Sequence, residues 1–264
     1  MILVDCSAAD TATGGFRMHE DHPVFEAPTN PDISIWRYMD LAKFLSLLED
    51  EALFFARSDM MSDKFEGSTT RKSLEFSRGY LGPEFDELQR TLSVVRQNLK
   101  EHTYLNCWHM SEYESAAMWS LYQVAGHGIA VRSTYRQFRE CLRTEDSVYI
   151  GVVKYVDFDS EVIPEGNTLY PYIRKRRSFE FEREIRGVLS HPGQVVQDGT
   201  VRWGGESAGP PGKSVPVDLD RLVNTVYIAP DAPRWFARLV QSLLARYGRS
   251  WVLKRSDLAA DPIY

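Results

Sequence analysis

In the segment Ser178-Phe179-Glu180-Phe181-Glu182-Arg183-Glu184-Ile185-Arg186, the carboxylates Glu182 and Glu184 stand two residues apart. On a strand such residues share a face, about 7 Å apart along the chain. Like charges so placed repel and gain nothing from packing. Either that face is wet and the pair is surface, or it lines a cleft and the pair does chemistry. In a cleft, one carboxylate can stabilise a developing cation while the other places or activates a nucleophile. The two should not both ionise freely in a dry cleft, so one pKa should rise unless Arg37 or Arg186 compensates.

Three other clusters carry residues of chemical interest. In Trp36-Arg37-Tyr38, strand alternation puts Arg37 opposite the two aromatics, where it must reach an anion or solvent. Asp63-Lys64-Phe65-Glu66-Gly67 is either a helix cap and turn or a loop that shapes a pocket and supplies metal carboxylates. The run Cys107-Trp108-His109-Met110-Ser111, followed by Met118-Trp119-Ser120-Leu121-Tyr122, gives either an aromatic stacking platform or core at helical spacing. The spacing of His109 and His127 argues against a zinc site. Arg174-Lys175-Arg176-Arg177 reads as a solvated helix face or a grip on phosphates.

The elements that must position these residues are legible in the periodicity. Ser34–Met39 reads as a strand, and Asp40 caps a helix with Leu41, Phe44, Leu45 and Leu48 on one stripe. Further strands are expected at Ala52–Ala56, Thr103–His109, Gly128–Val131, Val148–Val156, Glu182–Leu189, Asn224–Ile228 and Trp251–Lys254. Helices are expected after Pro83, after Ser115, through Tyr135 and Phe138, and from Pro233 to a stop at Gly248. Gln197–Ser214, rich in glycine and proline, reads as a long loop, with Trp203 a candidate contact for an acceptor. Residues 1–33 read as a loosely structured lead-in to a single catalytic-type domain over 34–264. The elements intersperse without a βαβ rhythm, which predicts an α+β fold with a central, mostly antiparallel sheet.

Composition bounds the rest. The chain has 264 residues, 43% of them hydrophobic, enough for a sizeable core. A net charge of −6 argues against a protein that coats nucleic acid. Three widely spaced cysteines, Cys6, Cys107 and Cys141, suggest a reducing, cytoplasmic setting with no disulfide framework. No signal-like start and no apolar run of membrane-spanning length is present, so no membrane partner is expected.

The order of the clusters resembles a widespread bacterial family known as a domain of unknown function. The matching pieces are Trp36-Arg37-Tyr38, Asp63-Lys64-Phe65-Glu66, Cys107 to Ser111, Met118 to Tyr122, Gly128-Ile129 and Phe181 to Arg186, over roughly 34–255. The layout in turn looks like the ADP-ribosyltransferase superfamily. That resemblance implies a split sheet flanked by helices, and NAD as substrate with no metal. It implies that Arg37 holds a phosphate or ribose, that Glu184 stabilises the ribose cation, and that Glu182 activates the acceptor. Ser111 would orient the ribose or the first carboxylate, and Tyr38, Trp119 or Tyr122 would stack on nicotinamide. Cys107-Trp108-His109-Met110-Ser111 departs from the superfamily's Ser-Thr-Ser at the middle strand. The implied activity is transfer of ADP-ribose to an unknown acceptor, protein or nucleic acid, as in a toxin or defence effector. Two rival readings stand beside it. One is a metal-dependent nuclease or phosphohydrolase using Asp63, Glu66, Glu182 and Glu184. The other is a non-enzymatic interaction protein.

Overall fold

Alternation of bulky apolar residues makes Ser34–Asp40 (β1) a strand buried along nearly its whole length. Asp40 ends it and caps the next helix, Leu41–Asp50 (α1), by accepting from the Lys43 amide at 2.8 Å. A short strand, Ala52–Arg57 (β2), comes directly after that helix. In this computed structural model, residues 20–122, 126–164, 166–191, 194–197, 200–203 and 208–263 are described. Next come the helices Arg71–Leu81 (α2) and Phe85–Glu101 (α3), then the strand Thr103–Met110 (β3), antiparallel to β2. Ala116–Tyr122 (α4), Gly128–Thr134 (β4) and Tyr135–Glu140 (α5) succeed it. After them come the short strands Val148–Val152 (β5), Lys154–Val156 (β6) and Arg174–Arg176 (β7), then Glu184–Ser190 (β8). The chain continues through Gln194–Gln197 (β9), Thr200–Trp203 (β10), Gly212–Pro216 (β11) and Leu219–Leu222 (α6). Thr225–Ile228 (β12), Arg234–Arg246 (α7) and Val252–Arg255 (β13) close the fold.

One nine-stranded sheet runs β11-β2-β3-β1-β4-β12-β13, with β8 pairing both β3 and β5. Every pairing in it is antiparallel except β12 with β13. The fold is thus α+β with a mostly antiparallel sheet, as the element pattern predicts. Strand β3 organises it. Along one edge β3 pairs with β8 from Thr103↔Ser190 to His109↔Glu184. Along the other edge its first half pairs with β2 (Leu105↔Ala56) and its last residues pair with β1 (Trp36↔His109). Residues 106–108 therefore face an opening where β1 and β2 part.

Both faces of the sheet are covered. Phe44 of α1, Phe138 of α5, and Phe236, Val240 and Leu244 of α7 pack with Trp108, Ile185 and Leu189 on one side. Val24, Phe25, Leu99, Leu105, Tyr172 and Val188 form a second core on the other. Residues 20–33 hold no helix or strand, yet Val24 and Phe25 are buried, and Phe25 stacks on Tyr149 at 5.3 Å.

Several elements differ from expectation. Val148–Val156 is two strands, β5 in the main sheet and β6 paired in parallel with β7. The basic run is not a helix face, since Arg174–Arg176 is itself a strand. The strand expected from Glu182 begins at Glu184. Residues Arg177–Glu182 form a 3-10 turn, and Arg183 ends it in the left-handed region at φ 42°. The expected loop Gln197–Ser214 contains β10, which pairs with β9, and the start of β11, an edge strand along β2. The Trp203 side chain lies outside the described residues, as does Cys6.

Candidate functional site

A cavity of about 570 Å³ occupies the opening between β1 and β2, within the range of small-ligand sites. Its walls carry Trp36, Arg37 and Tyr38 from β1, Cys107, Trp108 and His109 from β3, Tyr122 from α4, and Glu182 and Glu184. The register Trp36↔His109↔Glu184 spans two strand spacings, so the backbones carrying Arg37 and Glu184 lie about 10 Å apart.

Arg37 is half-buried and has no carboxylate partner among the described residues. Its Nη2 donates to the Phe54 carbonyl at 3.3 Å and its guanidinium stands 5.9 Å from the Trp108 ring. Nη1 is buried with no partner. Burial draws its pKa down to about 10, still charged at neutral pH. This leaves one charged donor in the cavity wall without a protein partner.

The carboxylates are arranged quite differently. Arg186, fully buried, grips Glu66 through Nη1–Oε1 at 2.7 Å and Nη2–Oε2 at 2.8 Å, and donates from Nε to Glu184 Oε2 at 2.7 Å. Its Nη1 also donates to the Tyr172 carbonyl at 2.8 Å. Lys175, 6% exposed, reaches Glu184 Oε1 at 3.2 Å and pairs with Glu182. Burial alone would raise Glu184, but Arg186 and then Lys175 overcome it and hold the carboxylate at about 2. Burial, and after it the hydrogen bond and charge of Glu184, push Glu182 up to about 7 against Lys175. The expected inequality of the two pKa values is thus present, and its cause is specific. The cluster holds three carboxylates, Glu66, Glu182 and Glu184, against two cations, Arg186 and Lys175. It is neutral when Glu182 is protonated and carries one net negative charge when Glu182 ionises.

The charged face of β8 is therefore neither solvent nor wholly cleft. Glu184 and Arg186 alternate with Ile185, and the Asp63-to-Glu66 loop covers them through the Arg186–Glu66 pair. Asp63 accepts from Arg176 at 2.6 Å, so both acids of that loop are held by arginines. Lys175 is buried, Arg176 is tied to Asp63, and Arg177 to Glu161 at 2.6 Å. Three of the four cations of the basic run are thus paired with carboxylates, while Arg174 donates to the Ile173 carbonyl at 3.3 Å. Each of these carboxylates has a cation partner. Among the described residues, no three His, Cys, Asp or Glu side chains are grouped so as to hold a metal.

Of the other expected site residues, Tyr38 and Tyr122 line the cavity. The Tyr38 hydroxyl accepts from the Ser115 amide at 2.9 Å, and burial raises Tyr122 to about 12. Trp119 and Ser111 do not reach the cavity. Trp119 is 2% exposed, packs edge-on to Tyr38 at 4.9 Å and donates to Glu114 at 2.9 Å. Ser111 lies just past β3, where its carbonyl takes the Trp36 indole N–H at 2.7 Å and its hydroxyl accepts from the Tyr113 amide. Sequence reasoning misses His109 and Lys175 as parts of the site. Strand alternation on β3 puts His109 with Cys107 and offers a signal for the first; nothing local marks Lys175.

No protein-family model matches the chain, and no curated protein matches it. No helix among the described residues is long and apolar enough to cross a membrane.

Proposed function

We propose that the cavity binds NAD and that the chain is an ADP-ribosyltransferase of the kind its motif order resembles. The observation that carries this reading is the pairing, in one aromatic-walled cavity, of Arg37 with a buried unpartnered Nη1 and the Glu182/Glu184 pair. Breaking the bond from ribose to nicotinamide builds positive charge on the sugar. It needs an anchored pyrophosphate, an apolar slot for the base, and fixed negative charge beneath the sugar. Arg37 would take a phosphate oxygen. Tyr38, Tyr122 and Trp108 wall the slot. Glu184, held ionised by Arg186 and Lys175, gives the permanent carboxylate, and Glu182 adds a net negative charge when it ionises near neutrality. Glu182 stands beside the acceptor.

The test is nicotinamide release from NAD, wild type against Glu184→Gln, at a temperature where circular dichroism shows the variant folded. Release by the wild type and none by the variant supports the reading. A folded Glu184→Gln protein that releases nicotinamide at the wild-type rate refutes it.

A further inference from the structure

Glu184 is poorly free to accept a proton, and Glu182 takes one only while its Oε2 is tied to Lys175. Both Glu184 oxygens are engaged, Oε1 by Lys175 and Oε2 by Arg186, and Glu182 is paired with Lys175. His109 is placed differently. It sits on β3 between Trp36 of β1 and Glu184 of β8, lines the cavity, and is 4% exposed. Its Nδ1 lies 2.7 Å from the Glu182 backbone carbonyl. A carbonyl only accepts, so Nδ1 carries the proton and, in the neutral ring, Nε2 is left as an acceptor. Nε2 has no protein partner among the described residues, and it is not among the side-chain nitrogens sealed from solvent without one.

We propose that His109 Nε2 is the base that takes the proton from the acceptor, with the Glu182 backbone carbonyl fixing the imidazole's tautomer and direction. This rests on the NAD reading of the same cavity. With water as acceptor, the bond from ribose C1′ to the nicotinamide nitrogen breaks, and its electron pair neutralises the pyridinium. The water oxygen bonds to C1′, and one of its protons passes to Nε2, giving an imidazolium that later loses the proton to solvent. Glu182 and Glu184 then act through charge alone.

The groups facing His109 are consistent with a neutral ring. Burial lowers its pKa, the neighbouring Arg183 cation adds to that, and the Glu182 carbonyl opposes. The Tyr38 ring meets it edge-on at 6.3 Å, and its opposite residue on β8 is Glu184.

Two measurements test the role. Nitrogen-15 NMR of the histidines, with His109 assigned by its loss in His109→Asn, should show Nδ1 protonated and Nε2 bare at pH 7. An Nε2–H tautomer or an imidazolium at that pH overturns the proposal. His109→Asn keeps a side-chain N–H able to reach the Glu182 carbonyl but offers no basic nitrogen. NAD hydrolysis should fall about 100-fold while affinity for ADP-ribose changes by less than about 3-fold. The acidic limb of the pH profile of kcat/KM should contain two ionisations, those of Glu182 and His109; His109→Asn should remove the one that persists in Glu182→Gln. Wild-type hydrolysis in His109→Asn, or loss of the whole limb in Glu182→Gln, overturns it. If the wild type releases no nicotinamide, the NAD reading falls, and the tautomer result alone decides whether Nε2 is available as a base.

Discussion

Replacing Arg186 by leucine strips the partner from two carboxylates at once. Arg186 is fully buried, and Glu66, 2% exposed, has both oxygens on its guanidinium. Glu184 keeps Lys175, but Glu66 keeps no cation. Removing one member of a buried ion pair costs about 3–5 kcal/mol, because the remaining charge is buried uncompensated. For a chain of this size, that loss corresponds to a fall in Tm of roughly 6–20 °C. Stranded in the core, Glu66 must protonate for the chain to fold, so its folded pKa lies above its unfolded one. Such a group favours the folded state at low pH, and that contribution fades as pH rises through the folded value. The deficit of Arg186→Leu should therefore be smaller at pH 5 than at pH 8, as read from urea unfolding. Adding Glu66→Gln should recover part of it. A deficit below about 1 kcal/mol at pH 8, or one equal at both pH values, would show that the cluster is not a buried charge pairing.

Three further outcomes are expected. Trp119→Ala should cost about 3–5 kcal/mol, since the ring is core, and leave ADP-ribose affinity almost unchanged; loss of affinity without loss of stability would put the ring in the site. Glu182→Gln should flatten the pH dependence of wild-type stability between about pH 5 and 8, because Glu182, raised to about 7, contributes stability at acid pH that is lost as pH rises through that value. Identical wild-type and Glu182→Gln profiles would refute the shift. Glu184→Gln should fold less stably than Glu182→Gln, since Arg186 and Lys175 lose their shared counter-ion; equal melting points for the two variants would count against that pairing.

Alternation on β1 and β3, capping by Asp40 and the proline at the start of α7 are local signals, and they place those elements within a residue or two. The charged face of β8 reads as solvent or cleft because Glu184 and Arg186 look polar one at a time. They are buried only because Lys175, 9 residues from Glu184, and Glu66, 120 residues from Arg186, neutralise them. Pairing at that distance leaves no trace in periodicity. The same holds for β11. Gly212 lies against the Phe54 ring, so a glycine that reads as loop sits in an edge strand beside its neighbour's aromatic. Helix α2 is hard to read in the sequence although Thr70 caps it at the Ser73 amide. Its surface is largely exposed, so its apolar stripe is thin. Of the expected site residues, those on β1 and near β8 meet in the cavity, because strand order brings them to either side of His109. Ser111 and Trp119 do not, because β3 ends before one and Tyr38 packs over the other.

If the opening between β1 and β2 is an anion-binding site built around Arg37, calorimetric titration of ADP-ribose into wild type and Arg37→Met will show it. Arg37 makes one long hydrogen bond, to the Phe54 carbonyl at 3.3 Å, and Nη1 makes none, so Arg37→Met, which keeps the apolar stem, should lose no more than about 1 kcal/mol of stability. Wild type should bind ADP-ribose, and Arg37→Met should bind it at least about 10-fold more weakly, the worth of one charge-assisted hydrogen bond of about 1.5–3 kcal/mol. No binding by the wild type, or equal binding by both proteins, would mean that Arg37 does not await an anion.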